Sequence, residues 1–395
     1  MKQQFIFILV SRGLASVLNA LVFVWLGRIV GVELVGVLGI ITSVTSFVFL
    51  LADFGMATFL SRERARGNAE LVSGALRFNV VSTMLFGLLT TVGLLVMTIA
   101  GVVPAAVVLL GLAAALEKNT ETTLSVPIAD KRKFVPAFNV LLRRALALAA
   151  FGIGIMSGAD AVLSFCLGTA AAAVAGQLHI RSWMRGKVSH PGRLTWGQLK
   201  DVATRAWPFW LSNVTAGARQ LDIPIVGLLA SAYSAGLYSA SSKIMNPFRL
   251  IPSTLTALVV PHVARQGTAS ARRTAFKLTG LFLSTLIVLV PASFLSETLV
   301  VALMGPKFSG SGTIFALMLV GLPVVALAPP LGSVLQSQGH ERFVGFNGTV
   351  FAIVTIVLVV LGAIVAAGEG AAAGLGVAYA LKCASLLLRI TRKLR

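Results

Sequence analysis

Residues 27–66 read GRIVGVELVGVLGIITSVTSFVFLLADFGMATFLSRERAR, an apolar run that ends in a loop with three arginines. A helix needs about 20 apolar residues to cross the hydrocarbon core of a membrane. The run at 35–59 is long enough, and arginines such as Arg62, Arg64 and Arg66 are typical of the cytoplasmic ends of such helices. The stretch therefore predicts a transmembrane helix that ends in the cytoplasm.

The rest of the chain repeats this pattern. The 395 residues are 57% hydrophobic and 12% charged, and the mean hydropathy is +0.91, which excludes a water-soluble enzyme and leaves little chain for a soluble domain. We therefore expect an all-α polytopic membrane protein with about twelve transmembrane helices. The predicted spans are 5–27, 35–59, 77–100, 103–127, 136–156, 161–182, 207–231, 235–260, 277–300, 311–337, 344–367 and 371–388.

The positive charges support this count. The formal charge is +20, but the bases lie in short loops between apolar runs, so they indicate membrane topology and not nucleic-acid binding. Most of the 33 lysines and arginines fall in alternate loops and at the termini, whereas Arg28 and Lys307 are in the opposite loops. By the positive-inside rule, the N- and C-termini are predicted to be cytoplasmic.

An internal repeat with an offset of 200 residues pairs Gly27 with Gly227, Gly36 with Gly236, and Arg77 with Lys277. Each copy contains six spans, so the two halves are predicted to be parallel repeats that enclose a central cavity. The predicted domains are an N-terminal six-helix lobe at 1–184, a cytoplasmic linker at 185–206 and a C-terminal six-helix lobe at 207–395. The linker contains TWGQLKDVATRAW, an amphipathic stretch that we expect to lie flat on the inner leaflet.

Polar side chains form stripes on the first two helices of each half. In span 1, Arg12, Ser16 and Asn19 share a helix face. Span 7 places Arg219 and Asp222 on one face, where they can pair, and Asn246 in span 8 is the repeat partner of Ser46. These stripes predict the lining of a hydrated cavity, with candidate substrate-binding residues Arg12, Asn19, Arg219, Lys243, Asn246 and Arg249.

The bases in these stripes outnumber the acids. Charges in a span need a partner or water, and a cationic cavity favours an anion with phosphate or carboxylate oxygens. Asp53 and Asp222 are the candidate ion-coupling or ion-pair residues. Asp53 is predicted either to bind a proton or cation or to pair with Arg12, and both alternatives remain open. Arg219 is predicted either to contact the substrate or to pair with Asp222.

A second group of charges comprises Glu117, Lys118 and Glu121 in span 4 and Arg143 and Arg144 in span 5. We interpret this group as a structural network within the N-terminal lobe, because adjacent spans neutralise each other there. Cys166 and Cys383 lie inside apolar runs and are predicted to be packing residues. No catalytic histidine, metal site or cofactor is predicted.

Three stretches resemble the polysaccharide flippases, of the O-antigen translocase type, in the multidrug/oligosaccharidyl-lipid/polysaccharide (MOP) exporter superfamily. They are the opening stretch at 27–66, AWPFWLSNVTAGARQLDIPIVGLLASAYSAGLYSASSKIMNPFRLIPSTLTALVVPHVAR at 206–265, and GPKFSGSGTIFALMLVGLPVVAL at 305–327. The second is the most specific, with Asp222, the Gly-Leu-Tyr at 236–238, Lys243 and Pro261 at family-like spacing.

The resemblance implies a non-enzymatic flippase in the bacterial cytoplasmic membrane. Such a protein moves a polyprenyl-pyrophosphate-linked oligosaccharide of an O-antigen, capsule or exopolysaccharide from the inner to the outer leaflet by ion- or potential-driven alternating access. By helix position, Arg12, Lys243 and Arg249 match the family's basic cavity residues. The implied partners are the lipid-linked substrate, membrane lipids, and a polysaccharide polymerase and glycosyltransferases. Many relatives have fourteen spans, and the twelve predicted here count against a lipid II flippase.

Two alternatives remain open. A cation-coupled multidrug exporter belongs to the same superfamily, but we expect an acidic cavity in a protein that exports cations. A membrane glycan polymerase or ligase would need a large outer loop with catalytic groups, whereas the predicted outer loops are short.

Overall fold

The structure is a computed structural model and describes residues 2–187, 196–248 and 267–393. Helices make up the regular structure of these residues. In chain order they are α1 Lys2–Val30, α2 Val32–Ala52, α3 Met56–Ala65, α4 Ala69–Ile99, α5 Leu109–Thr123, α6 Ser125–Ala129, α7 Phe134–Met156, α8 Ala161–Met184, α9 Trp196–Gly217, α10 Asp222–Leu229, α11 Ala232–Met245, α12 Thr268–Ser284, α13 Leu286–Ser293, α14 Ser296–Met304, α15 Ser311–Ser337 and α16 Glu341–Lys393. Short 3₁₀ turns lie at Ala105–Val108, Ala218–Leu221 and Pro306–Phe308.

Eight described segments are long and apolar enough to cross a membrane. They cover predicted spans 1, 2, 3, 5, 6, 9 and 10 and, in the 53 residues of α16, spans 11 and 12 together. The all-α membrane fold is therefore confirmed. Predicted spans 4 and 7 fall on shorter or interrupted helices, and residues 249–260 of predicted span 8 lie outside the described residues, so the count of twelve stays a prediction.

α16 is a hairpin rather than one rod. Its backbone leaves the helical region at Ala366 and Ala367, where φ of Ala367 is +45°. The two arms then pack so closely that a Cβ on Gly362 would overlap the carbonyl oxygen of Gly370. Helices in lipid associate through such close contacts of small residues, and the break falls on the last two residues of the predicted span 344–367.

α4 shows how the helices divide between lipid and protein. Large apolar side chains are exposed along one face, at Leu85, Leu88, Leu89, Val92, Val96 and Ile99. The opposite face buries small and polar residues, including Asn79, Thr83 and Gly87. In a membrane protein the apolar face meets the lipid tails, while small and polar side chains mediate helix contacts.

The chain divides into two compact units. Unit 1 comprises Met1–Val22 and Thr42–Gly217, and unit 2 comprises Phe23–Ile41 and Ala218–Arg395. The amphipathic stretch of the linker is part of α9 in unit 1. Its residues Val202 and Ala206 are buried in a cluster with α3 and α4, so protein covers the apolar face of this stretch.

Within unit 2, residues related by the 200-residue offset meet. A Cβ on Gly36 would overlap the carbonyl oxygen of Ala232, and a Cβ on Gly236 would overlap that of Val32. The contact is reciprocal, since each glycine faces the residue four positions before its repeat partner. Only glycine allows helix backbones to approach this closely, and the arrangement agrees with the predicted repeat.

Candidate functional site

Asp53 lies at a sharp break after α2. Its side chain is 0% exposed, and the two following residues, Phe54 and Gly55, have positive φ values of 46° and 70°. A Cβ on Gly55 would lie 2.5 Å from the backbone nitrogen of Trp210, so a larger residue does not fit. The predicted span 35–59 therefore ends earlier, at Ala52, because this turn carries the carboxylate of Asp53 into the interior of unit 1.

The carboxylate of Asp53 is held by α5. Thr122 donates its hydroxyl to Oδ1 of Asp53 at 2.6 Å, and Nζ of Lys118 is 3.6 Å from the same oxygen. Lys118 and Thr122 are four residues apart and share one face of α5. The second oxygen, Oδ2, is buried and has no hydrogen-bond partner within the described residues, which makes it available to a proton or a small cation.

Arg12, the alternative partner of Asp53, lies elsewhere on unit 1. Its side chain is exposed on α1, and no acid in the described residues forms an ion pair with it. Asn19, two turns along α1, is half-buried. Arg12 lies within the candidate span Val10–Val30, and an arginine there without an acidic partner among the described residues needs water or an anionic ligand.

The second charged group forms the predicted network. Glu117 accepts hydrogen bonds from Nη1 of Arg143 and Nη2 of Arg144, both at 2.8 Å, and Arg143 is also 3.8 Å from Glu121. The side chain of Arg143 is 3% exposed. Lys118, a predicted member of this network, forms its ion pair with Asp53 instead.

Amides and hydroxyls continue the polar interior of unit 1. Gln177 on α8 donates to Oδ1 of Asn119 at 3.0 Å and accepts from Thr120 at 2.7 Å. Asn79 on α4 is fully buried, and neither its amide nitrogen nor its oxygen has a partner in the described residues. The sequence did not predict these buried amides and hydroxyls, because uncharged residues at these positions give no periodic pattern.

In unit 2, Asp222 begins α10 and is buried. It accepts a hydrogen bond from the hydroxyl of Tyr238 at 3.1 Å and one from the backbone nitrogen of Ile223 at 2.8 Å. Arg219 is half-buried in the preceding 3₁₀ turn. No ion pair joins Arg219 to Asp222, although both residues are described.

Lys243 is half-buried on α11, with Nζ 4.9 Å from the ring centre of Phe23. This cation–π contact keeps the ammonium group in a partly apolar environment. Asn246 follows the end of α11 and is half-buried. Arg249 lies outside the described residues. Those that are described contain no group of three His, Cys, Asp or Glu side chains able to hold a metal.

Comparison with known proteins supplies the family. A model of the family described as "Polysaccharide biosynthesis protein" matches residues 25–312. No curated protein matches the chain.

Solved structures with a similar fold include the lipid II flippase MurJ in an inward closed conformation. Its identity is 13% and its TM-score 0.74, over 98% of this chain and 87% of that chain. A mutant of the Vibrio cholerae MATE transporter VcmN has 15% identity and a TM-score of 0.66, over 100% and 95% of the two chains. A multidrug resistance MATE family transporter of the MOP superfamily, in an inward-facing conformation, also has 15% identity and a TM-score of 0.66, over 96% and 94%. At these identities the likeness concerns the fold.

Proposed function

Because the chain belongs to the family of polysaccharide biosynthesis proteins, we propose that it moves a polyprenyl-pyrophosphate-linked oligosaccharide from the inner to the outer leaflet. It is a membrane flippase or exporter of the MOP superfamily and not an enzyme. The observation that carries the proposal is the family match over residues 25–312. The lipid carrier, the direction and the driving force are the proposed part.

The charges of the candidate residues support an anionic substrate. Arg12 is exposed and has no acidic partner among the described residues, while Asp53 and Asp222 are buried and already accept hydrogen bonds. An arginine in this situation binds a pyrophosphate through its planar set of donors. We assign Arg12, Asn19, Arg219, Lys243, Asn246 and Arg249 to the substrate path, the last of these from its sequence position alone.

The test is transbilayer movement of a labelled polyprenyl-pyrophosphate oligosaccharide in proteoliposomes. We expect movement with the wild-type chain, a loss of at least tenfold in Arg12→Gln and Arg249→Ala, and wild-type rates in the control Arg185→Gln, which removes an exposed loop charge. Wild-type movement by both site variants would remove the assignment of these residues. No movement by the correctly folded wild-type chain would contradict the substrate class.

We propose that Asp53 is the ion-coupling residue. Its buried Oδ2 has no hydrogen-bond partner among the described residues, which supports a role as the acceptor of a proton or small cation. Asp53→Asn keeps an oxygen that accepts from Thr122 but removes the charge. In the same assay, under an imposed proton or sodium gradient, Asp53→Asn should flip substrate at a rate independent of the gradient. The control Thr122→Val removes the hydrogen bond and leaves the charge, so its rate should still follow the gradient. A gradient response retained by Asp53→Asn would leave Asp53 as a structural partner of Lys118.

Cation-coupled drug export is the second candidate, favoured by the fold shared with the MATE transporters. A cationic drug needs an accessible acid, whereas Asp53 and Asp222 are 0% and 6% exposed. Uptake of a fluorescent cationic dye into inverted vesicles, in exchange for protons, distinguishes this candidate from the first.

A further inference from the structure

A cleft in unit 1 has a lining unlike that of the candidate site. Its volume is about 690 Å³, and its lining residues are Asp130, Arg132, Phe134, Val135, Trp183 and Lys187. Ligand pockets have volumes of about 300 to 1,000 Å³. None of these residues belongs to the proposed substrate path or to the Asp53 network, so the cleft is a separate feature of the unit.

The cleft lies where two candidate spans begin and end. Phe134 is the first residue of α7 and Trp183 is the last but one of α8, and both helices are candidate spans. The two helices follow each other through a short turn at 157–160, so the start of one and the end of the other are at the same membrane surface. Phe134 is 62% exposed, as is typical of aromatic side chains at the level of lipid headgroups.

The lining of the cleft carries two positive charges that its one acid does not neutralise. Asp130 is the one acid among the lining residues, and Arg64 neutralises it with two hydrogen bonds, from Nε at 2.8 Å and from Nη2 at 3.0 Å. Arg132 and Lys187 are exposed, and Nζ of Lys187 lies 3.6 Å from the ring centre of Trp183. Among the described residues, neither of these two bases forms an ion pair with Asp130.

The turn that carries Arg132 is ordered by its own backbone. Arg132 donates its N–H to the carbonyl of Pro127 at 2.8 Å, and Lys131 has a φ of +57°. α7 then begins at Phe134 without an acid in its first turn, so the positive end of its dipole is uncompensated at the cleft. A preorganised basic turn loses little entropy when it binds an anion.

We propose that this cleft binds the phosphate headgroup of an anionic phospholipid from the surrounding bilayer. Arg132 and Lys187 contact the phosphate, while Phe134 and Trp183 pack against the glycerol and the first acyl carbons. Basic pockets between transmembrane helices on the positive side of a membrane protein recognise such headgroups. The proposal does not depend on the transported substrate.

The test is a lipid titration of the purified full chain in detergent, followed by native mass spectrometry. Phosphatidylglycerol is the anionic probe and phosphatidylcholine the zwitterionic one. The variant Arg132→Gln/Lys187→Gln removes both bases of the cleft. The matched control Lys131→Gln/Arg185→Gln removes two neighbouring charges that do not line it. Each base near a membrane surface contributes about a fivefold gain in affinity for anionic lipid, and the pair about thirtyfold.

We expect phosphatidylglycerol to bind in preference to phosphatidylcholine. The cleft variant should bind it about thirtyfold more weakly, and the control variant within about threefold of wild type, since long-range attraction is screened. Equal losses of phosphatidylglycerol binding in both variants would show that the lipid binds to the basic surface in general, and would overturn the proposal. No preference for the anionic lipid would overturn it as well. Displacement of phosphatidylglycerol by soluble pyrophosphate at equal concentration would identify the ligand as a pyrophosphate group instead of a bilayer lipid.

Discussion

Replacing Glu117 with Gln should destabilise the chain strongly, because Glu117 compensates two arginines inside unit 1. It accepts from both Arg143 and Arg144 at 2.8 Å, and the side chain of Arg143 is 3% exposed. Removing one partner of a buried ion pair costs about 3–5 kcal/mol. We expect the lower end, since Gln keeps one acceptor oxygen and Glu121 remains 3.8 Å from Arg143. A loss of about 3 kcal/mol raises the unfolding equilibrium constant about 150-fold.

The measurement is SDS-induced unfolding in mixed micelles, followed by tryptophan fluorescence. The matched control is Glu121→Gln, one helical turn away on the same helix. Its side chain is 49% exposed, so its loss should cost less than about 1 kcal/mol. Similar unfolding curves for the two variants would refute the structural role of Glu117. A variant that also carries Arg144→Gln should recover part of the stability, because it removes one of the two stranded charges.

Three further predictions concern packing and pH. Gly55→Ala should cost about 1–3 kcal/mol, since φ is +70° and the new Cβ would lie 2.5 Å from a backbone nitrogen of α9; SDS unfolding measures the loss. Gly36→Ala would overlap a carbonyl oxygen of α11 and should destabilise the chain, whereas Gly93→Ala, with open space around it, should be neutral in the same assay. The hydrogen bond from Asn68, and then the neighbouring arginines, lower the pKa of Glu63 from its ordinary 4.5. Glu63 therefore stabilises the fold above about pH 4.5, and this contribution is lost as the pH falls through the lowered pKa. The thermal unfolding temperature should therefore fall less between pH 7 and acidic pH in Glu63→Gln than in wild type.

The approximate positions of most spans could be predicted from the sequence, because hydropathy measures what lipid imposes on each segment independently. The Asp53–Lys118 pair could not, since it joins helices 65 residues apart and depends on how α2 and α5 pack. Gly55 is a local indication that α2 ends early, but glycine is also tolerated inside many transmembrane helices. The sequence therefore predicted the pairing of Glu117 with Arg143 and Arg144 on adjacent spans, but it did not identify Lys118 as the partner of Asp53.

Pairing of Arg219 with Asp222 was one of two alternatives for Arg219, and the structure shows how local geometry overrides the spacing that suggested it. Three residues on a continuous α-helix place two side chains on one face. Here a 3₁₀ turn at Ala218–Leu221 precedes a new helix that begins at Asp222. The carboxylate accepts from Tyr238 on α11 instead. The spacing rule failed because the helix it assumed is interrupted between the two residues.

The 200-residue offset relates close backbone contacts but not the positions of the buried acids. Gly36 and Gly236 occupy equivalent positions and meet reciprocally in unit 2, so the offset of 200 residues describes backbone contacts. The buried acids do not follow it: Asp53 corresponds to Ser253, and Asp222 corresponds to Val22. Asp53 keeps an oxygen without a partner among the described residues, while Asp222 accepts hydrogen bonds on both of its oxygens. The unequal hydrogen bonding of the two acids is consistent with a single ion-coupling site, at Asp53, as proposed above. For this reason the variant Asp222→Asn should keep the gradient dependence of transport, whereas the variant Asp53→Asn should lose it.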